Sequence, residues 1–195
     1  MDALPAFALY AFVTAITPGP NNIMLTTSGA NFGFRRTMPH IAGIQIGFAV
    51  MMLAIGFGLG SIFIAEPRLQ TALKFVGIAY LLWLAWKIAI SRGSSNDEAA
   101  NGRPMTFLQA ALFQWVNAKA WIMTIGAFAV YGGGGDVRLI LALTIVYAIV
   151  GTPTSVFWAG FGVGVRSLLA EPRYLRAFNI AMAALLVASI IPMVV

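Results

Sequence analysis

Six long apolar stretches dominate this chain of 195 residues, and nearly all of its charged residues lie between them. The stretches cover about residues 4–28, 39–63, 69–91, 105–131, 137–164 and 174–195. Each is long enough for a helix that crosses the roughly 30 Å hydrocarbon core of a bilayer, which takes about 20 residues. Only 9% of the residues are charged, whereas a soluble domain has about 25%. The sequence therefore predicts an all-α integral membrane protein with six transmembrane helices, forming a single transmembrane domain over residues 1–195.

Basic residues are distributed unequally between the two sides of the predicted membrane domain. Loops 1–2, 3–4 and 5–6, with the adjoining helix ends, carry eight: Arg35, Arg36, Lys87, Arg92, Arg103, Arg166, Arg173 and Arg176. The opposite side carries three: Arg68, Lys74 and Arg138. Because the cytoplasmic side is usually the richer in Lys and Arg, both termini are predicted to lie outside the cytoplasm. The net charge of +6 then reflects membrane orientation, and no nucleic-acid partner is expected.

The second half of the chain repeats features of the first half. GFGLG at 56–60 and AEPR at 65–68 are followed, 104 and 105 residues later, by GFGVG at 160–164 and AEPR at 170–173. Since each half holds three helices, a duplicated second half enters the membrane upside down. The sequence thus predicts two inverted three-helix repeats, the plan of many secondary transporters, with a site near the midplane at interrupted helices. The predicted parts are repeat one at about 4–91, a cytoplasmic loop at about 92–104 and repeat two at about 105–195.

The segment TPGPNN at 17–22 interrupts the first apolar stretch. A proline has no N–H and clashes with the carbonyl four residues back, so Pro18 and Pro20 are expected to free the carbonyls of Thr14 and Ile16. Such broken backbone is tolerated at membrane depth only where protein or a water-filled cavity covers it. The alternative is a proline kink that only shapes helix packing.

A second half-helix is predicted to begin at the same interruption. Gly19 permits a sharp turn, and Pro20 suits the first position of a helix. The N–H groups of Asn21 and Asn22 would then face the break, where a helix N-terminus favours anions. Freed carbonyls beside such an N-terminus suit a zwitterion, which carries both an ammonium group and a carboxylate.

The matching interruption in the second half is VNAKAWIM at 116–123. Lys119 lies roughly 21 Å along the fourth helix at 1.5 Å per residue, and a lysine at that depth costs roughly 2.5–3.5 kcal/mol. We expect it to face a cavity and to pair with an anionic group; the alternative is snorkelling to the interface. Asn117 is two residues away, so either the helix is unwound there or only one of the two side chains lines the site. Gln114 shares a face with Asn117, and both suit interhelical hydrogen bonds.

Several other groups bear on the chemistry. The six acidic residues all lie at helix ends or in loops: Asp2, Glu66, Asp97, Glu98, Asp136 and Glu171. The chain has no cysteine and one histidine, His40, so no metal site or other cofactor is expected. The less favoured alternatives to a transporter of amino acids are an intramembrane enzyme and a cation or metal permease. Lys119 is the only titratable candidate at depth for proton coupling. Gly151, Thr152 and Pro153 are predicted to kink the fifth helix near the cavity.

TPGPNN, the following GFRR, AYLLWLAWKIA in the third helix and QWVNAKAW in the fourth resemble the LysE/RhtB family of amino-acid exporters. Within the family the chain is most similar to the cysteine/O-acetylserine exporter type. The resemblance covers nearly the whole chain. The family's motifs map onto Pro18, Gly19, Pro20 and Asn21 in helix 1 and onto Asn117 and Lys119 in helix 4. Many members have proline where this chain has Ala118, which leaves a break in helix 4 in question.

The resemblance implies a multi-pass protein of the bacterial inner membrane that exports small neutral amino acids or derivatives, of the cysteine/O-acetylserine or threonine/homoserine class. It also implies that the proton motive force drives export. The expected partners are an amino-acid substrate and the lipid bilayer. Whether the chain forms a homo-oligomer is left open by the resemblance. The residues predicted to bind substrate are Pro18, Gly19, Pro20, Asn21, Asn22, Asn117 and Lys119, supported by Thr14, Gln114 and Thr152.

Overall fold

Helix is the only regular structure in the part of the chain that the computed structural model describes, which is residues 3–91, 103–132 and 134–191. The first half contains α1 (Ala3–Ile16), α2 (Pro20–Phe32), α3 (Phe34–Ala54), a π-helical turn (Ile55–Leu59), α4 (Gly60–Ala65) and α5 (Pro67–Ala89). The second half contains α6 (Phe107–Phe113), a 3-10 turn (Gln114–Val116), α7 (Ala118–Tyr131), α8 (Val137–Val165) and α9 (Pro172–Ala188). The all-α prediction is confirmed. Most of the predicted loop at 92–104 lies outside the described residues.

Three helices among the described residues are long and apolar enough to cross a membrane: Phe34–Ile62, Pro67–Ala89 and Val137–Val165. Shorter apolar helices span Leu4–Ile16, Phe107–Val116 and Ala118–Tyr131. Many large apolar side chains point outward, among them Ile122, which is 67% exposed, and Val130, which is 72% exposed. These features fit a membrane-integral protein, since lipid tails accept such faces. The number of spans and their inverted repetition stay predictions.

Glycines bring the helices around the centre into backbone contact. α8 packs against α1, α2 and α3, while α6 packs on α3 and α5 packs on α9. A Cβ atom at Gly29 would overlap the carbonyl of Ala159, and one at Gly162 would overlap the carbonyl of Thr26. A Cβ atom at Gly47 would lie 2.5 Å from the Cα of Ala111. Small residues permit this close approach, which fixes the interrupted segments against α3 and α8.

The fifth apolar stretch forms one continuous helix. α8 runs from Val137 to Val165 with Pro153 inside it, and the kink at Gly151, Thr152 and Pro153 stays a prediction. The Thr154 hydroxyl donates to the Gly151 carbonyl at 2.7 Å.

Candidate functional site

The first interruption separates α1 from α2 as predicted. The last backbone hydrogen bond of the first half-helix runs from the Thr17 N–H to the Val13 carbonyl at 3.2 Å. Gly19 is fully extended, with φ −172° and ψ −179°, and Pro20 begins α2. α2 therefore starts inside the protein, because both Gly19 and Pro20 are buried.

Asn22 covers the exposed end of α1. Its side-chain N–H groups donate to the carbonyls of Ala15, at 2.8 Å, and Thr17, at 2.9 Å. The sequence predicted freed carbonyls at Thr14 and Ile16, and the carbonyls that Asn22 holds are the neighbouring ones of Ala15 and Thr17. The amide of Asn22 thus replaces backbone donors that the break removes.

The second interruption occurs without a proline. The chain passes from the 3-10 turn through Asn117, with φ −86° and ψ 100°, into α7. The Asn117 side-chain oxygen accepts from the Lys119 N–H at 3.2 Å, as an N-cap does. The Trp121 indole donates to the carbonyl of Trp115 at 2.8 Å. The break that Ala118 left in question is therefore present, because a capping asparagine starts the new half-helix.

The two interruptions meet in space. The Lys119 ammonium donates to the Thr17 carbonyl at 2.6 Å, and a Cβ atom at Gly19 would lie 2.8 Å from Lys119 Cδ. Asn21 donates to the Gln114 side-chain oxygen at 2.9 Å, and Gln114 donates back to the Asn21 oxygen at 3.2 Å. Residues about a hundred positions apart in sequence thus form one polar centre.

A cavity of about 40 Å³ lies at this centre, between the two interruptions and the middle of α3 and α8. Its walls are formed by Thr14, Ala15, Gly19, Asn21, Asn22, Ile44, Gln45, Phe48, Asn117, Lys119, Ala120, Met123, Tyr147, Gly151, Thr154 and Ser155. Of the predicted site residues, these include Thr14, Gly19, Asn21, Asn22, Asn117 and Lys119.

The remaining predicted site residues occupy other positions. Pro20 is buried and Pro18 is exposed beside the break, and neither is part of the wall. Gln114 lies behind the wall and acts through Asn21. Thr152 is exposed and points away from the cavity, whereas its neighbours Gly151 and Thr154 face it. Helical periodicity explains the difference, because adjacent residues of α8 point in directions about 100° apart.

Sequence reasoning placed Gly151 near the cavity but missed the rest of the wall that α3 and α8 supply. Gln45 donates to the Ser155 hydroxyl at 2.8 Å and to the Gly151 carbonyl at 3.3 Å, which links the two helices. Phe48 stacks on Tyr147 with ring centroids 4.1 Å apart. Gln45 could have been predicted from the sequence, since a glutamine inside an apolar stretch needs a polar partner on another helix. Phe48 and Tyr147 resemble ordinary core aromatics.

The cavity wall has one formal charge, the ammonium of Lys119, and no described wall residue is a carboxylate. The N-terminus of α2 adds partial positive charge beside it. The wall also contains carbonyl and amide oxygens, so it offers partners for an anion and for hydrogen-bond donors. Apolar and aromatic side chains, including Ile44, Phe48 and Met123, form the rest.

A helical membrane protein in which two interrupted helices meet at a polar cavity has the organisation of a secondary transporter. The LysE type translocator model matches residues 12–189. The chain belongs to the LysE type translocator family, and it is a transporter rather than an enzyme.

Relatives match along nearly their full length. The chain is 37% identical over 186 residues to the cysteine/O-acetylserine efflux protein of Salmonella typhimurium (strain LT2), which covers 94% of this chain and 93% of that protein. It is 33% identical, with the same coverage, to the cysteine/O-acetylserine efflux protein of Escherichia coli (strain K12). No solved structure gives a significant match.

Proposed function

We propose that this protein exports small neutral amino acids or their derivatives across the bacterial inner membrane, with cysteine and O-acetylserine as the first candidates. The names of relatives at 33% and 37% identity support this substrate class. Threonine and homoserine belong to the same chemical range. The observation that carries the proposal is the contact between the Lys119 ammonium and the Thr17 carbonyl at the meeting point of the two interrupted helices.

The contact suggests how an amino acid is recognised. The Thr17 carbonyl holds an ammonium group already, that of Lys119, at 2.6 Å. The α-ammonium group of a substrate has the same hydrogen-bonding chemistry and can take its place. Lys119, once released, can pair with the substrate carboxylate. The N–H groups of Asn21 and Asn22 at the start of α2 also favour a carboxylate at this position.

The walls favour a small neutral side chain. A cationic side chain would meet Lys119 and, among the described wall residues, no carboxylate to offset its charge. Ile44, Phe48 and Met123 instead offer apolar contacts, and the hydroxyl of Ser155 offers a polar contact to a hydroxyl, thiol or ester group.

Alternating access between the two sides of the membrane fits the packing of the helices. The second helix of each half, α3 and α8, pack on each other, as do the third helices, α5 and α9. α1 and α2 pack on α8, while α6 packs on α3, so the two halves exchange equivalent contacts. This pattern supports two inverted repeats. The central cavity of about 40 Å³ is far below the roughly 300 Å³ of typical ligand pockets, so binding requires the halves to move apart.

Uptake into everted inner-membrane vesicles tests the proposal, because export from a cell becomes uptake in that orientation. Wild-type vesicles energised with a proton gradient should accumulate labelled O-acetylserine, and a protonophore should abolish the accumulation. Lys119→Ala should reduce uptake at least tenfold, whereas Lys74→Ala, which removes a lysine that does not line the central cavity, should not. Uptake of no amino acid in a panel, or full uptake by Lys119→Ala, contradicts the proposal.

A further inference from the structure

A second and larger cavity opens at one end of the helices. This vestibule has a volume of about 220 Å³, and its walls include Ser28, Asn31, His40, Trp83, Lys87 and Arg103. It lies at the helix ends that the distribution of basic residues predicts to be cytoplasmic. α2 connects it to the central cavity, since Asn22 lines one and Ser28 the other. Six residues of helix separate these positions by about 9 Å.

His40 is the unusual group in the vestibule wall. Its side chain is 1% exposed, and neither ring nitrogen has a hydrogen-bond partner. Buried polar groups normally have such partners. Among the described residues, Trp158 is the other with an unpartnered buried side-chain nitrogen, and it does not line the vestibule.

Other polar groups in the same wall have partners. The Thr37 hydroxyl donates to the Ser28 hydroxyl at 3.1 Å. The Asn31 amide donates to the Asn179 side chain at 2.8 Å and to the Thr27 carbonyl at 2.9 Å. Ser28 and Asn31 of the wall therefore have partners, whereas both ring nitrogens of His40, a residue of the same wall, have none.

The vestibule also offers cationic groups. Lys87 lies over the ring of Trp83, with its ammonium 4.5 Å from the ring centroid, and Arg103 is part of the same wall. No described wall residue is a carboxylate. A carboxylate group can pair with these cations while the imidazole bonds an ammonium, hydroxyl or thiol group of the same small molecule.

We propose that the vestibule is a second binding subsite, which takes one small polar amino acid on the cytoplasmic side before the central site does. The substrate class rests on the proposed function, whereas the location rests on His40, Lys87 and Arg103. A transporter with this arrangement binds two substrate molecules per chain. Met24, buried and part of the vestibule wall, lies on α2 between the two positions.

The test counts bound O-acetyl-L-serine per chain by equilibrium dialysis on purified protein in lipid nanodiscs. Wild type should bind two molecules and Lys119→Ala one. Adding His40→Leu to Lys119→Ala should weaken the remaining site at least tenfold, whereas adding His40→Gln, which keeps a donor and an acceptor, should retain it within threefold. His40→Leu alone should not lower the melting temperature of the ligand-free protein, because it removes an unpartnered buried polar group.

Trp83 provides a readout that needs no change at His40. Ligand added to Lys119→Ala should change the intrinsic fluorescence, and Trp83→Phe in that background should remove the change. Three results would each overturn the subsite and leave the central site standing. They are one bound molecule in wild type with none in Lys119→Ala, unchanged binding when His40→Leu is added to Lys119→Ala, and a fluorescence change that is absent or does not depend on Trp83. Binding of no amino acid by any variant overturns the proposed function as well.

Discussion

Asn21 and Gln114 exchange two hydrogen bonds, at 2.9 and 3.2 Å, although they are 93 residues apart. Gln114 has no exposed surface and donates its other amide proton to the Ala110 carbonyl at 2.9 Å. The pair joins the first turn of α2 to the turn that ends α6. Each interrupted helix is therefore held in register by an amide of the other.

Breaking this pair should destabilise the fold. Gln114→Leu leaves the partly buried Asn21 amide without its partner, and an unsatisfied buried group costs about 1–3 kcal/mol. The melting temperature in detergent should fall, and Asn21→Leu should lower it similarly. In the double variant the two losses should not add, since both remove the same pair. Additive losses would show that the two amides are not coupled.

The contact between α2 and α8 should be sensitive to one methyl group. Gly162→Ala places a Cβ atom against the Thr26 carbonyl, and overpacking of this kind costs roughly 1–3 kcal/mol. Gly160→Ala is the matched control on the same helix, because its Cβ atom would meet nothing within 4 Å. Thermal unfolding should separate the two variants. Equal melting temperatures would contradict the close approach.

Much of the helical pattern was predictable because hydrophobicity and proline act locally. The apolar stretches predicted the helices, and TPGPNN predicted the break at 17–19 since Pro18 and Pro20 remove backbone donors. Lys119 stood out because a charge at membrane depth is costly. These signals require no knowledge of which helices touch.

The features that the sequence did not predict depend on contacts between helices. Nothing local in Thr152 reveals that it points away from the cavity while Thr154 faces it. The Asn22 bonds to Ala15 and Thr17 depend on how α2 turns back on α1. His40 is the one histidine of the sequence, and only the packing shows that its side chain is buried and without a hydrogen-bond partner.

The break in helix 4 should accept a proline at one position and reject it two residues later. Ala118 is the first residue of α7, and Asn117 before it has the extended backbone that precedes proline readily. Ala118→Pro should preserve stability or raise it by about 0.4–1 kcal/mol. The Ala120 N–H donates to the Asn117 carbonyl at 2.9 Å, so Ala120→Pro removes this hydrogen bond and should cost about 1 kcal/mol. Thermal unfolding of both variants checks this, and equal tolerance would argue against the observed break.

Gly19 tests whether the contact between Lys119 and Thr17 matters for transport. The extended backbone of Gly19 suits any residue, but a Cβ atom would lie 2.8 Å from Lys119 Cδ and 3.1 Å from its Nζ. Gly19→Ala should therefore displace the lysine while changing the melting temperature little, and vesicle uptake should fall about tenfold, which corresponds to 1.4 kcal/mol. In a Lys119→Ala background the same substitution should have no further effect, because the displaced atoms are gone. A further loss in that background would mean that Gly19 acts independently of Lys119, and unchanged uptake by Gly19→Ala alone would show that the position of the ammonium at the Thr17 carbonyl is not used in export.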